Sequence, residues 1–295
     1  MKKTIFTGTA TALITPFCED CKEVDYASFE RLIEFQLENS VDALVIAGTT
    51  GEAPALTADE KSELFRIARS ICKKTPVIAG TGSNNTIEAV KKSNDAEKQG
   101  VDGLLIVTPY YNKCNQEGLI EHYNFIADRV STPIIIYNVP SRTGVNISAD
   151  TYNALSEHKN IVAVKEASGN ISDTAKVMAI CHDSLDFYSG NDDQLLPMLS
   201  LGAKGVISVA SNLIPHIISA IINEFNNKDY ALAQKLYFNY LELFNALFID
   251  VNPIPVKEAM SRIFNCSSSL RLPLTGLQDE NRIKLSAILK KYNLL

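Results

Sequence analysis

The sequence predicts a (β/α)8 barrel of the TIM type, followed by a C-terminal three-helix extension. Three observations carry this prediction. Eight short apolar runs recur along most of the 295-residue chain. Segments with helical spacing separate these runs, and each strand-plus-helix unit takes roughly 25–35 residues. A regular alternation of this kind is typical of parallel strands that close into a barrel inside a ring of helices.

Each predicted strand is short, apolar and rich in β-branched residues, as expected for strands buried on both faces. In chain order they are Gly8–Ile14, Ala43–Ala47, Val77–Ala79, Gly103–Val107, Ile134–Tyr137, Ile161–Lys165, Leu185–Tyr188 and Gly205–Val209. The first run follows Lys2 and Lys3 and faintly resembles a signal peptide. Threonines interrupt it and Pro16 ends it, so we interpret it as a strand and not as a targeting segment.

The intervening segments carry apolar residues at helical spacing together with helix start signals. Thr57, with Glu60 three residues later, forms the sequence pattern of a capping box. The other predicted barrel helices are Asp25–Glu38, Thr86–Gln99, Gln116–Val130, Ser148–Ser156, Ser172–Cys181, Asp192–Leu201 and Pro215–Phe225.

A doubly wound open sheet is the alternative fold. That fold usually places a G-x-G-x-x-G loop after its first strand. Here Ile14-Thr15-Pro16-Phe17 ends the first strand, and Gly80-Thr81-Gly82 lacks the third glycine. The barrel is therefore the preferred prediction.

Strand patterns stop near residue 226, and three helices are predicted beyond it, at Asp229–Ile249, Val256–Phe264 and Gln278–Tyr292. We therefore divide the chain into a catalytic barrel, residues 1–226, and a C-terminal helical domain, residues 227–295. The first of these helices carries a largely aromatic stripe, which we interpret as core packed against the barrel, with a subunit contact as the alternative. The stripe comprises Tyr237, Leu241, Phe244 and Phe248.

Composition argues against several classes of partner. The net charge of −6 disfavours nucleic acid and anionic membrane surfaces, and no apolar run is long enough to span a bilayer. Six cysteines are scattered, and Cys18 and Cys21 form a lone C-x-x-C without a second pair or nearby histidines. Free thiols in a cytoplasmic protein are the preferred interpretation, and a redox role for this pair is the alternative.

Lys165 closes the apolar run Ile161–Lys165, so the predicted strand carries a lysine into a buried setting. Burial disfavours a charged ammonium, and a neutral lysine amine is the group that forms Schiff bases with carbonyl substrates. The alternative is a structural lysine whose ammonium reaches water or pairs with the neighbouring Glu166.

Polar side chains cluster where the predicted strands end, which is where barrel enzymes carry their chemistry. The clusters are Gly48–Glu52, Thr108–Asn112, Tyr137–Gly144, Lys165–Glu166 and Ser189–Asp192. Together they suit Schiff-base carbon–carbon chemistry. A phenol can donate and accept protons, and the Gly48–Gly51 loop can bind a carboxylate. Arg142 can bind a second carboxylate through two hydrogen bonds from its planar guanidinium. No ligand cluster or phosphate loop is recognisable, so neither a metal nor a cofactor is predicted.

These clusters resemble those of the dihydrodipicolinate synthase (4-hydroxy-tetrahydrodipicolinate synthase) family of pyruvate-dependent class I lyases, over essentially the whole chain. The matching motifs are G-T-T-G-E at 48–52, T-P-Y-Y-N at 108–112, Y-N-V-P-S-R-T-G at 137–144, V-K-E-A-S-G at 164–169, S-G-N-D-D at 189–193, G-V-I-S-V at 205–209 and N-P-I-P-V-K at 252–257.

The resemblance implies a role for each matching residue. Lys165 would form the imine with pyruvate, and Tyr137 would exchange protons through a relay of Thr49 and Tyr111. The family's tyrosine at the last position comes from a neighbouring subunit, which implies an active site completed in a dimer and a homotetramer built as a dimer of dimers. The implied substrate-binding residues are Thr50 and Ile207 for pyruvate, and Arg142 and Gly190 for L-aspartate 4-semialdehyde.

Two other functions remain open from the sequence. N-acetylneuraminate lyase and keto-sugar-acid aldolases belong to the same superfamily and share the lysine and the tyrosine. Arg142, together with the Thr49-Thr50 pair, favours the synthase. A non-catalytic barrel that binds a ligand or partner would be expected to lack Lys165 or Tyr137, and the chain has both.

The sequence departs from the resemblance at one regulatory site. Some members are inhibited by lysine at a dimer-interface site, part of which Asn84, Glu88 and Tyr110 resemble. Ala58 and Lys61 stand where sensitive members carry histidines. A cationic Lys61 should disfavour a cationic ligand, so we predict weak or absent inhibition by lysine.

Overall fold

The computed structural model describes residues 2–295 and confirms the predicted barrel. Eight parallel strands, β1 to β8, close in sequence order, and β8 pairs with β1. The strands are Gly8–Ala12, Ala43–Ile46, Val77–Gly80, Gly103–Val107, Ile134–Asn138, Ile161–Glu166, Asp186–Ser189 and Gly205–Ser208.

Helices alternate with these strands and continue beyond them. The α-helices are Tyr26–Glu38, Ala58–Ile71, Thr86–Lys98, Gln116–Ala127, Pro140–Thr143, Ala149–Ser156, Ile171–Cys181, Leu195–Ser200, Pro215–Asn226, Tyr230–Ala246, Ile254–Phe264 and Asp279–Lys291. Short 3₁₀ turns cover Ala53–Ala55, Asp192–Gln194 and Ala210–Asn212. Within residues 2–295, no helix is both long enough and apolar enough to cross a bilayer.

The capping box at Thr57 is present as predicted. The Thr57 hydroxyl accepts a hydrogen bond from the Glu60 N–H (3.2 Å), and the Glu60 carboxylate accepts one from the Thr57 N–H (2.8 Å). These two bonds satisfy backbone donors that the first helical turn leaves free.

The barrel closes where two glycines meet. Gly8 of β1 pairs with Gly205 of β8. A Cβ atom added to Gly205 would lie 1.9 Å from the carbonyl oxygen of Gly8, so only glycine permits this approach of the two strands. Phe6 and Tyr188 stack at 4.1 Å between ring centroids, and the Tyr188 hydroxyl donates to the Phe6 carbonyl oxygen (2.7 Å).

The core has two layers. One cluster lies between strands and helices, and a second, smaller cluster fills the barrel interior with residues that include Ala10, Ala43, Ala163 and Ile207. Side chains along a strand point alternately to the two faces, so successive residues of one strand serve the two layers. The interior alanines are small and leave room for larger side chains near the strand ends.

Three details differ from the sequence expectations. The predicted helix Asp192–Leu201 is a 3₁₀ turn followed by Leu195–Ser200, because the Asp192 carboxylate caps backbone N–H groups beyond β8. The loop after β5 contains a short helix, Pro140–Thr143, that was not predicted. Phe248 lies beyond the end of its helix and is 44% exposed, whereas Tyr237 and Phe244 are buried as predicted.

Candidate active site

Lys165 and Tyr137 lie side by side on neighbouring strands. They are direct partners in the register of β5 and β6, so both side chains point into the barrel. The Lys165 Nζ atom is 4.4 Å from the centroid of the Tyr137 ring. Alternation along β6 then places Val164 and Glu166 on the opposite face, toward the helices.

Lys165 is a buried lysine without an ionic partner. It is 6% exposed, and no carboxylate among residues 2–295 lies within salt-bridge distance of its Nζ atom. The Glu166 carboxylate is turned away and accepts hydrogen bonds from Tyr152 (3.1 Å), Asn138 (3.1 Å) and the Ser168 N–H (2.7 Å). The alternative in which Lys165 pairs with Glu166 is therefore wrong.

A cavity of about 500 Å³ adjoins this pair and opens at the strand ends. Tyr137, Thr49 and Arg142 all line it. A second cavity of about 220 Å³ shares Thr49 and Arg142 with the first. Two of the three residues predicted to exchange protons, and the arginine predicted to bind a carboxylate, thus surround one space beside a buried amine.

Thr50 is buried under the C-terminal part of the chain. Its Oγ1 atom accepts a hydrogen bond from the Asn252 amide nitrogen (3.0 Å). The Asn252 carbonyl oxygen in turn accepts a bond from the Arg142 guanidinium (3.1 Å). Asn252 belongs to the N-P-I-P-V-K motif, but its role is not predictable from the sequence because its contacts join positions more than 100 residues apart.

Gly190 lies directly against the lysine. A Cβ atom at this position would lie 3.1 Å from Lys165 Cε and 2.6 Å from Ala167 Cβ, so a side chain would crowd the amine. Ile207 is fully buried in β8 and belongs to the barrel-interior cluster. Burial raises the pKa of Asp192, while hydrogen bonds and the charge of Lys165 act in the opposite direction.

Tyr111 does not line either cavity of its own chain. Its side chain is 91% exposed and its backbone φ is +70°, an unusual value for a residue other than glycine. No side-chain hydrogen bond within the described part of the chain links Thr49 to Tyr137 or to Tyr111. The Tyr137–Thr49–Tyr111 relay therefore remains a prediction that needs Tyr111 from another copy of the chain.

A buried ion pair that was not predicted from the sequence supports the Thr49-Thr50 loop. Lys257 Nζ lies 2.6 Å from the Glu52 carboxylate and 4.2 Å from the centroid of the Phe17 ring. Burial lowers the pKa of Lys257, and the charge of Glu52 opposes that change. Glu52 has a φ of +53°, and its second carboxylate oxygen accepts a bond from the Arg271 N–H (3.1 Å). These contacts offset the strain of its backbone.

Lys61 lines the larger cavity, together with Ala58, Glu88, Lys92 and Tyr110. Burial and the nearby charge of Lys92 lower the pKa of Lys61 to about 8. Asn84 is not among the lining residues. Of the three residues that resemble the regulatory site, Glu88 and Tyr110 therefore share this cavity with the cationic side chain of Lys61, and weak inhibition by lysine stays a prediction.

The six cysteines are free thiols, and Cys18 is exposed. Within residues 2–295, no group of three or more histidine, cysteine, aspartate or glutamate side chains is arranged to hold a metal ion.

Known proteins resemble this chain along almost its whole length. The profile of the Dihydrodipicolinate synthetase family matches residues 5–292. The chain is 46% identical to the 4-hydroxy-tetrahydrodipicolinate synthase of Geobacter sulfurreducens over 292 residues, covering 99% of this chain and 100% of the relative. It is 48% identical to 4-hydroxy-tetrahydrodipicolinate synthase 1 of Clostridium acetobutylicum, with 99% of each chain covered.

Solved structures agree with the sequence relatives. The dihydrodipicolinate synthase of Aquifex aeolicus superposes with a TM-score of 0.95 at 46% identity, covering 98% of this chain and 99% of that one. The chloride-inhibited enzyme of Acinetobacter baumannii, complexed with pyruvate, gives a TM-score of 0.96 at 39% identity, covering 99% and 100% of the two chains. This chain therefore belongs to the dihydrodipicolinate synthetase family.

Proposed function

We propose that Lys165 is the residue on which this chain carries out its family's reaction. The chain is a lyase of the diaminopimelate route to lysine, with the activity of a 4-hydroxy-tetrahydrodipicolinate synthase. Pyruvate and L-aspartate 4-semialdehyde are its substrates. The observation that carries the proposal is a buried lysine without an ionic partner, 4.4 Å from the ring of Tyr137.

The first half of the reaction joins pyruvate to the enzyme. The Lys165 amine adds to the ketone carbon, and loss of water leaves an imine that acts as an electron sink. Tyr137 donates the proton that the departing oxygen needs and accepts protons in later steps. Thr50 and the backbone at Ile207 hold the pyruvate carboxylate. Loss of a methyl proton then converts the imine into a nucleophilic enamine.

The second half uses the aldehyde. Arg142 binds its carboxylate, and Gly190 leaves room for it beside the lysine. The enamine attacks the aldehyde carbon to form the new carbon–carbon bond. The amino group of the adduct then attacks the imine carbon, which closes the ring and releases Lys165 as the free amine. The product is 4-hydroxy-tetrahydrodipicolinate, and every group used belongs to the chain or to its substrates.

A coupled assay with pyruvate and aspartate semialdehyde tests this function. Product should form only when both substrates are present, and N-acetylneuraminate should not be cleaved. Cleavage of the sugar acid with no condensation would assign the chain to the lyase branch of the superfamily instead.

We further propose that the active unit is a homotetramer, a dimer of dimers, in the cytoplasm. The 91% exposure of Tyr111 supports the need for a second copy, because a relay residue must reach the cavity. Free thiols support a reducing compartment. We also propose a division into a barrel, residues 1–226, and a helical domain, residues 227–295. The second unit supplies Asn252 and Lys257 to the rim.

Replacing Arg142 by alanine should chiefly impair use of the aldehyde. The variant loses a charge-assisted contact to a carboxylate, worth about 3 kcal/mol, so KM for the semialdehyde should rise roughly 10²-fold. Pyruvate should still be trapped on the enzyme by borohydride. Arg129→Ala is the matched control, because Arg129 lies over the Phe125 ring outside both cavities. Loss of pyruvate trapping in Arg142→Ala would contradict the assigned role.

Inhibition by lysine should be weak at neutral pH and stronger at high pH. Below its pKa of about 8, Lys61 is a cation and repels the ligand. As pH rises from 7 to 9, Lys61 loses its charge, while the side-chain ammonium of free lysine, with a pKa of about 10.4, keeps its own. We expect a dissociation constant above about 1 mM at pH 7, that is, a binding free energy weaker than about −4 kcal/mol.

Calorimetric titration of lysine at several pH values measures this dependence. Lys61→Gln should bind lysine more tightly at pH 7 and lose most of the pH dependence, whereas Lys91→Gln should retain it. A dissociation constant far below 1 mM for the unmodified protein at pH 7 would refute the prediction.

A further inference from the structure

Asn252 contacts two residues that the proposed function assigns to different substrates. It lies between the helices Tyr230–Ala246 and Ile254–Phe264 and is 6% exposed. Its side-chain amide nitrogen donates to Thr50 Oγ1 (3.0 Å), and its backbone carbonyl accepts from Arg142 (3.1 Å). A single residue of the C-terminal helical region therefore touches the proposed pyruvate site and the proposed aldehyde site.

The direction of the bond to Thr50 matters for binding a carboxylate. A threonine hydroxyl has one proton to donate and two lone pairs that accept. Because the amide nitrogen of Asn252 only donates, Thr50 must act as the acceptor in this bond. The proton of Thr50 is then free for another acceptor. A carboxylate, which only accepts, is the complementary ligand.

Packing alone does not account for an asparagine at this position. The Oδ1 atom of Asn252 is buried and has no hydrogen-bond partner among residues 2–295. An unpaired buried acceptor costs free energy that an apolar side chain of similar size would avoid. The side-chain amide therefore stands at a cost to stability, and its hydrogen bond to Thr50 supplies the reason.

We propose that Asn252 is a positioning residue whose side-chain amide fixes the Thr50 hydroxyl as a donor toward pyruvate, while its backbone carbonyl holds the Arg142 guanidinium at the neighbouring aldehyde site. The proposal rests on the proposed function and adds a residue to it. Asn252→Asp replaces the amide that donates to Thr50 with a carboxylate that only accepts, and the side-chain volume is nearly unchanged. An aspartate would accept the Thr50 proton and place a negative charge beside the pyruvate carboxylate.

The test measures two quantities as a function of pyruvate concentration. They are the yield of borohydride-trapped adduct on Lys165 and the rate of turnover. In Asn252→Asp, half-maximal trapping should need roughly 10- to 100-fold more pyruvate, and in Asn252→Ala roughly 3- to 10-fold more. At saturating pyruvate and aldehyde, kcat should change less than about 3-fold in both variants. Asn124→Asp is the control, because Asn124 also has an unpaired Oδ1 but lies on an outer helix.

A double-mutant cycle separates positioning from a general loss of structure. If Asn252 acts through Thr50, Asn252→Asp should add little to the pyruvate requirement once Thr50→Val has removed the hydroxyl. Additive effects, or a variant with lower thermal stability but an unchanged pyruvate requirement, would overturn the proposal. If Asn252→Asp does not fold, Asn252→Ala carries the same comparison. Absence of trapping in the unmodified protein would instead refute the proposed function.

Discussion

Replacing Lys165 by alanine should lower kcat for the condensation at least ~10⁴-fold, because the covalent route through the imine is lost. The same variant should fold normally. Lys165 makes no ion pair within the described chain, so its removal relieves the cost of a buried amine and breaks no salt bridge. Steady-state kinetics and thermal unfolding of the same preparation measure the two effects together.

The matched control is Lys61, a second lysine close to the proposed site. Lys61 lines the cavity that Tyr137 also lines, and its pKa of about 8 gives it a largely neutral amine at mildly alkaline pH. The Lys61→Ala variant should nevertheless still form the Schiff base between pyruvate and Lys165. Substantial condensation by Lys165→Ala, with loss of it in Lys61→Ala, would show that the wrong amine has been assigned.

Replacing Lys257 by methionine should destabilise the fold by about 3–5 kcal/mol, the usual cost of leaving one charge of a buried pair alone. The change removes the partner of Glu52 and also a donor to the Ser269 carbonyl oxygen, which lies 2.6 Å from Lys257 Nζ. Thr49 and Thr50 stand three and two residues before Glu52 in the same loop. We therefore expect activity to fall together with stability, measured by denaturant unfolding and by turnover at the same temperature.

Two further variants distinguish the loss of a buried ion pair from the loss of a lysine charge at the surface. Glu52→Gln combined with Lys257→Met removes both charges and should recover part of the lost stability. Lys284→Met breaks an exposed pair with Glu280 and should destabilise the fold far less than Lys257→Met does. Equal losses in Lys257→Met and Lys284→Met would contradict the importance assigned to the buried pair.

The barrel could be predicted because its signals are local. Each strand is a short apolar run, and each helix has its own spacing and caps, so the order of elements follows from neighbouring residues. Lys165 and Tyr137 were found in the same way, as polar residues at the ends of such runs. Strand register then brings them together without further information.

The rest of the site depends on contacts that no local pattern encodes. The Lys257–Glu52 pair joins residues 205 positions apart, and the Asn252–Thr50 bond joins residues 202 positions apart. Both connect the C-terminal helices to the loop after β2, in a part of the chain where strand signals have ended. The alternative of a Lys165–Glu166 pair fails for a local reason instead, because strand alternation sends adjacent side chains to opposite faces.

The most direct test of Schiff-base formation on Lys165 is peptide mapping after borohydride reduction with pyruvate. The protein contains several lysines, and mass spectrometry of the digest reports which of them carries the reduced adduct. We expect one adduct per chain, located on Lys165 and absent from the Lys165→Ala variant. An unchanged mass of the unmodified protein, or an adduct confined to Lys61 or another lysine, would contradict the account.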